Sequence, residues 1–290
     1  MPAKRGARPP LGDIRVTRSQ QTFRRLIARY PKRLNVVSEG DSWLGYPSKS
    51  LLASEANLVD VISRSRRMNF LRLETNGDEA VAMLAGEQRK KLCSVLSRFP
   101  VDCLLFSGGG NDIVGRWDIE PLLKPKRPGM SALDCIDERR LARKLQQLRL
   151  AYEELIDCRD LYRPECTILT HAYDYPIPRN EGTRILGRVW AGPWLHPYLE
   201  DKGITRAADQ RAIARSLIRR LFGLLETLES EQSDGRFILI RTPGTLRSSD
   251  WRDEIHPSRA GFRRIAAKFR PPIERLAGAK RRADPLGSGS

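Results

Sequence analysis

The tripeptide Gly40-Asp41-Ser42 lies just past the apolar run Leu34-Asn35-Val36-Val37. A serine exposed where a buried parallel strand ends can act as a nucleophile at the carboxyl edge of an α/β sheet. That chemistry also needs a base to take the serine proton, an acid to orient the base, and donors for the oxyanion that forms. The tripeptide alone is a weak signal, because three specified residues recur by chance in chains of this length. Its meaning depends on what the rest of the chain supplies.

Three further segments supply candidates. In FLRLETNGDEAVAML, Gly77 sits where a strand hands over to a helix, and its backbone N–H can approach a ligand closely. In LLFSGGGNDIVG, three glycines precede Asn111-Asp112, and the Asn111 amide could be aimed at a developing oxyanion. In SSDWRDEIHPSRAGF, Asp253 and His256 are three residues apart, so a carboxylate can hold one ring nitrogen and leave the other free as a base. Asp250 and Glu254 compete for that orienting role. The other two histidines, His171 and His196, have no aspartate three positions before them. Taken singly, each segment has a plainer explanation: a turn glycine, a turn asparagine, a surface DxxH turn. No GxxxxGK[ST] loop, no GxGxxG opening a helix and no GxSxG elbow is present.

The elements that would position these residues follow from periodicity. Short apolar runs at Leu34–Val37, Phe70–Leu73, Val101–Phe106, Thr167–Thr170 and Phe237–Ile240 read as strands. Amphipathic stretches near 50–64, 78–97, 138–160, 207–230 and 258–269 read as helices. Such alternation predicts an α/β fold, a three-layer α/β/α sandwich around a parallel five-stranded sheet. Each candidate functional residue then falls at the end of a successive strand. Two segments interrupt the alternation, 113–137 and 173–203; loops this long commonly form lids or binding walls. The second carries Trp190 and Trp194, which are candidate substrate contacts together with Trp43.

Read in order, the blocks resemble the SGNH/GDSL hydrolase family. They match as Gly40-Asp41-Ser42, then Gly77 within Asn76-Gly77-Asp78, then Gly109-Gly110-Asn111-Asp112, then Asp253-Glu254-Ile255-His256. The resemblance spans residues 34 to about 269 and implies a flavodoxin-like arrangement of the sheet and ester hydrolysis without a cofactor or metal. Carried over position by position, it implies Ser42 as nucleophile, His256 as general base and acid, and Asp253 as orienting acid. It further implies an oxyanion hole made by the backbone N–H groups of Ser42 and Gly77 and the side chain of Asn111. Trp43 departs from the aliphatic residue usual at its position. The substrate expected is a lipid-like or short acyl ester. The alternatives are a carbohydrate O-acetyl ester, whose sugar ring could stack on the aromatic loop, and a catalytically silent binding module.

Composition bounds the rest. The chain has 290 residues and a net charge of +17, placed unevenly. Residues 1–33 hold ten Lys/Arg against one acid and residues 259–290 hold nine against two, while the remainder is close to neutral. The division expected is a basic arm and amphipathic helix over 1–33, a catalytic domain over 34–270, and a basic disordered tail over 271–290. The basic ends are expected to attract an anionic membrane surface or another polyanion. No apolar run is long enough to cross a membrane and the basic N-terminus lacks the apolar core of a secretory signal, so a cytoplasmic setting is the default. The five cysteines include no CxxC pair, which argues against a disulfide scaffold or a structural zinc site.

Overall fold

The protein is described by a computed structural model covering residues 15–46, 57–75, 77–115, 118–185 and 188–283; in 183–185, 188–190 and 283 only the backbone is described. In chain order the strands are β1 (Val16–Thr17), β2 (Leu34–Gly40), β3 (Met68–Arg72), β4 (Cys103–Ser107), β5 (Thr167–His171), β6 (Thr183–Ile185), β7 (Arg188–Ala191) and β8 (Phe237–Ile240). The helices are α1 (Gln20–Arg29), α2 (Ser42–Gly45), α3 (Leu58–Ile62), α4 (Ala80–Met83), α5 (Gly86–Arg98), α6 (Gly110–Val114), α7 (Glu138–Tyr162), α8 (His196–Asp201), α9 (Ala207–Glu231) and α10 (Arg259–Ala283).

Six strands form one parallel sheet in the order β1-β3-β2-β4-β5-β8. The central strands β2, β4 and β5 are buried on both faces, which is why they read as continuous apolar runs rather than alternating ones. Because every strand runs the same way, the ends of β2, β3, β4, β5 and β8 open onto one edge, and the candidate residues converge there.

The sheet has one strand more than the sequence predicts. β1 is only two residues long and carries no periodic signal; it is specified by pairing with β3, Val16 opposite Phe70 and Thr17 opposite Leu71. Behind it, α1 buries Phe23 and Leu26 completely, so residues 15–33 belong to the same core as the rest. The stretch near 78–97 is two helices, α4 and α5, which meet at Gly86 with φ +51°. The two long connections are partly structured. Residues 123 and 136 form an isolated bridge in the first, and β6 pairs antiparallel with β7 in the second.

α10 corrects the boundary expected at residue 270. Pro271 and Pro272 remove backbone donors and ordinarily end a helix. Here the helix runs on to Ala283, because Phe269, Ile273 and Ala277 repeat at helical spacing and are buried against the body. Burial of that stripe outweighs the lost hydrogen bonds. The cysteines bring a second correction: Cys93 on α5 and Cys158 on α7 are joined by a disulfide, with Cα atoms 5.8 Å apart, while Cys103, Cys135 and Cys166 are free and buried. The two partners are 65 residues apart in sequence, and only the packing of α5 on α7 brings them together. No described helix is long and apolar enough to cross a membrane.

Since the apolar stripe past the prolines holds α10 to the body, Ile273→Ala is expected to lower the unfolding free energy by about 3 kcal/mol, read from urea denaturation. A loss below about 0.5 kcal/mol would mean that the helix beyond Pro272 is not docked.

Candidate active site

β2 ends at Gly40, whose φ of +154° and close approach to β4 leave no room for a side chain: a Cβ there would meet the Ser107 carbonyl oxygen at 2.5 Å. The next residue, Asp41, caps the single-turn helix α2 by accepting the Trp43 N–H at 3.0 Å. Ser42 therefore stands at the first helical position, where backbone N–H groups have no intrahelical acceptor.

The Ser42 Oγ lies 2.8 Å from His256 Nε2, and His256 Nδ1 lies 2.9 and 3.0 Å from the two carboxylate oxygens of Asp253. Two further donors reach Asp253 Oδ1, the backbone N–H groups of Ile255 at 3.1 Å and His256 at 2.8 Å. A carboxylate facing Nδ1 keeps the proton there and leaves the Nε2 lone pair toward the serine hydroxyl. The segment folds back on itself through a bridge between Trp251 and Pro257 and a hydrogen bond from Arg252 N–H to the His256 carbonyl. That reversal turns three-residue spacing into side-chain contact.

The two competing acids are engaged elsewhere. Asp250 accepts from the Arg247 N–H at 2.9 Å and pairs with Arg264 at 3.0 Å. Glu254 is buried and accepts from four backbone N–H groups, those of Arg179, Trp194, Leu195 and His196. It ties the 173–203 connection onto the segment that carries His256. Burial raises the Glu254 pKa above the usual carboxylate range, and these four donors oppose the rise.

Gly77 lies in the turn after β3 with φ +82°. Asn111, in the first turn of α6, donates from Nδ2 to the Asp78 carbonyl at 2.8 Å, which leaves its second amide hydrogen for another acceptor. Asp112 beside it accepts from the N–H groups of Ala80 and Val81 at 2.7 and 3.2 Å. The Asn-Asp pair thus clamps the Gly77 turn from both sides and sets where Gly77 and Asn111 stand relative to each other.

Beneath Ser42 is a polar cluster that sequence reading missed. Asp41 Oδ1 accepts from Ser107 Oγ at 2.8 Å, and Oδ2 accepts from the Tyr173 hydroxyl at 2.6 Å. The Tyr173 N–H donates to His171 Nδ1 at 3.0 Å, so the ring proton resides on Nε2, which lies 3.0 Å from Ser107 Oγ. Burial raises the Asp41 pKa to about 6, against the lowering effect of Tyr173, the Trp43 N–H and Ser107. Burial likewise lowers His171 to about 3, so its ring is neutral. Tyr173 adopts φ +62°, a left-handed conformation uncommon for a side-chain-bearing residue, and this aims its hydroxyl back under β2. The available signal was the polar spacing His171-x-Tyr173 at the end of an apolar strand.

The three tryptophans read as candidate substrate contacts fare differently. Trp43 is 4% exposed, packs against His171, Tyr173, Trp251 and Phe262, and donates from its indole N–H to the Ile255 carbonyl at 3.0 Å. The ring is a largely buried strut between the Ser42 turn and the His256 segment, and it also lines the small cavity beside Ser42. Trp194 meets the His256 ring edge-on, with centroids 5.1 Å apart, and Tyr46 lies on the ring at 4.7 Å. The side chain of Trp190 lies outside the described residues. A cavity of about 20 Å³ opens beside Ser42 and Asn111, walled by Val114, Pro176, Ile218 and Ile255. No cluster of three or more metal-ligating side chains occurs among the described residues.

Neither a protein-family model nor a curated protein sequence matches the chain. Solved structures do. A lipase, Lip_vut3, from a goat rumen metagenome superposes with a TM-score of 0.54 at 14% identity, covering 82% of this chain and 96% of its own. At 14% identity the likeness is one of fold, a parallel sheet flanked by helices. Further similar structures are Est24, a carbohydrate acetylesterase from Sinorhizobium meliloti (TM-score 0.45, 14% identity, 85% of this chain and 100% of that one), and the aryl esterase of M. smegmatis (0.45, 15%, 84% and 99%). Within this fold, the residues brought together are Ser42, His256, Asp253, Asn111 and the Gly77 turn.

One buried acid near the site has a measurable consequence. Glu39, the residue before Gly40, has its pKa raised to about 7, first by burial and further by Glu74, while the Gly40 N–H acts against the rise. The folded state therefore holds a proton that the unfolded chain releases near its ordinary carboxylate pKa. Stability is lost as pH rises from the normal Glu range through about 7. Glu39→Gln keeps an acceptor for Gly40 and removes the titration. It is expected to match wild type near pH 4 and to be more stable at pH 8 by on the order of 2–3 kcal/mol, read from urea midpoints. Parallel pH profiles for the two proteins would refute this assignment.

Proposed function

We propose that the protein is a serine ester hydrolase acting on short acyl, chiefly acetyl, esters. The observation that carries this reading is the continuous hydrogen-bonded series Ser42–His256–Asp253 at the carboxyl edge of the sheet. Ser42 Oγ attacks the ester carbonyl carbon while His256 Nε2 takes its proton, and Asp253 stabilises the imidazolium. The oxyanion is received by the N–H groups of Ser42 and Gly77 and by the free amide hydrogen of Asn111. Collapse expels the alcohol with the proton from His256 and leaves an acyl group on Ser42. Water then attacks, with His256 again as base, and releases the acid.

The short acyl preference rests on the cavity beside Ser42 and Asn111. Its volume of about 20 Å³ suits one methyl-sized group, and its apolar walls favour such a group over water. On the leaving-group side, Trp194 and Tyr46 flank His256 and offer aromatic surface to an alcohol with a flat or ring-shaped body. That favours a carbohydrate O-acetyl ester over a long-chain lipid ester.

On p-nitrophenyl esters, kcat/KM is expected to fall at least tenfold from acetate to hexanoate, roughly the effect of excluding several methylenes. Ser42→Ala is expected to abolish turnover, and Asp253→Asn to lower kcat by about 10³- to 10⁴-fold with KM little changed. Equal activity of wild type and Ser42→Ala across acyl lengths and acetylated sugars would reject the enzymatic reading. Rising activity with chain length would reject the acetyl preference alone.

A further inference from the structure

The opposite edge of the sheet, where the strands begin, gathers basic residues from four separate parts of the chain. Their adjacency is shown by bonds among their neighbours. Asn69, at the start of β3, donates to the Tyr30 carbonyl just past α1 and to Asn35 on β2. The Leu34 N–H donates to the Arg67 carbonyl. Asn35 also donates from Nδ2 to the Pro100 carbonyl past α5, and its N–H reaches Asp102. Lys280, near the end of α10, pairs with the same Asp102.

Around this junction stand Lys32, Arg66, Arg67, Arg98, Arg281 and Arg282, all exposed. None forms an ion pair with a described residue, and Asp102, the acid at the junction, is neutralised by Lys280. Basic groups near helix C-termini are favourable to the helix dipole, which accounts for Arg98, Arg281 and Arg282 singly. It does not account for Lys32, Arg66 and Arg67, or for all six lying on one half of one edge.

A second observation selects the partner. α7 ends on this same edge beside α5: the Arg163 guanidinium donates to the Leu96 carbonyl, and the Cys93–Cys158 disulfide joins the two helices. Its last turn presents Leu161, 72% exposed, and Tyr162, 42% exposed. Of the acids nearby, Asp160 and Asp234 pair with Arg159 and Glu165 with Arg236, while Asp157, one turn before Leu161, is exposed. An exposed leucine and a tyrosine stand together next to this basic field; a phosphate backbone can engage the tyrosine hydroxyl but gives the leucine no apolar surface. They suit a lipid interface, where tyrosine sits at the headgroups and an aliphatic side chain enters the acyl boundary.

We propose that the amino edge of the sheet, on its β1–β3–β2 side and at the end of α7, docks on an anionic lipid bilayer. Docked in this way, the protein turns the Ser42 edge away from the membrane toward solution. The proposal is independent of the ester hydrolase reading.

The test is sedimentation of the full chain with vesicles of phosphatidylcholine containing about 30% phosphatidylserine, against phosphatidylcholine alone, at low and high salt. Binding is expected only to the phosphatidylserine vesicles and to weaken as salt rises. Arg66→Gln/Arg67→Gln/Arg98→Gln is expected to lower partitioning by about 100-fold, since each basic residue near an anionic surface contributes on the order of fivefold. Leu161→Ser is expected to lower it by roughly tenfold while leaving binding to duplex DNA unchanged. All four substitutions are at exposed positions, and an unaltered melting temperature confirms that the variants fold. Equal binding to both vesicle types, or a triple variant within about threefold of wild type, would overturn the proposal. So would a triple variant that loses duplex DNA but keeps its vesicle binding, which would mark a nucleic-acid surface instead.

Discussion

Burying the Asp41 carboxylate directly beneath the serine turn is the constraint on which the site depends. A buried carboxylate is costly unless donors surround it. Here the donors come from three places: the Trp43 N–H of α2, the Ser107 hydroxyl at the end of β4, and the Tyr173 hydroxyl beyond β5. Satisfying one charge therefore locks the ends of three strands together at the level of Ser42. His171 completes the lock from below, because its neutral ring accepts from the Tyr173 backbone through one nitrogen and faces Ser107 with the other. Tyr173 holds a left-handed backbone because the surrounding contacts over-determine it.

The same logic divides the acids of the last segment. Asp250, Asp253 and Glu254 are chemically alike, yet each has one structural task. Asp250 ties the turn to α10, Asp253 faces His256, and Glu254 gathers four backbone donors of the long connection. Trp43 joins the two halves of the site, since its indole N–H reaches the Ile255 carbonyl, one residue before His256. A residue beside the nucleophile thus fixes the base by packing and one hydrogen bond while lining the cavity beside Ser42.

The parallel sheet gives its two edges different properties. At the carboxyl edge, loops converge with buried polar groups and helix N-termini, a setting for chemistry on a polarised carbonyl. At the amino edge, helices end, and the last turns of α1, α5, α7 and α10 carry Lys or Arg compatible with the dipole. Strand order then assigns charge across that edge: on the β1–β3–β2 side the basic residues stand exposed, while toward β8 Asp234 and Glu165 are matched by Arg159 and Arg236.

Much of the protein was legible in its sequence. All five principal strands and most of the long helices follow from hydrophobic period, because the forces that bury them act on local patterns. The Ser42, Gly77, Asn111 and Asp253–His256 blocks were also visible, since each sits at a strand end that the pattern locates. What the sequence could not decide was everything that depends on contact between distant segments. β1 exists only by pairing with β3, and α10 passes its two prolines only because a core awaits Ile273 and Ala277. Which acid serves His256, and whether Trp43 faces substrate or core, turn on directions in space that spacing does not encode. The Asp41–Ser107–His171–Tyr173 cluster lay hidden for the same reason: its members are up to 132 residues apart, and only the sheet makes them neighbours. The amino-acid sequence determined the elements and the chemical groups; the tertiary structure decided which groups meet, because a hydrogen bond depends on angstroms and not on residue number.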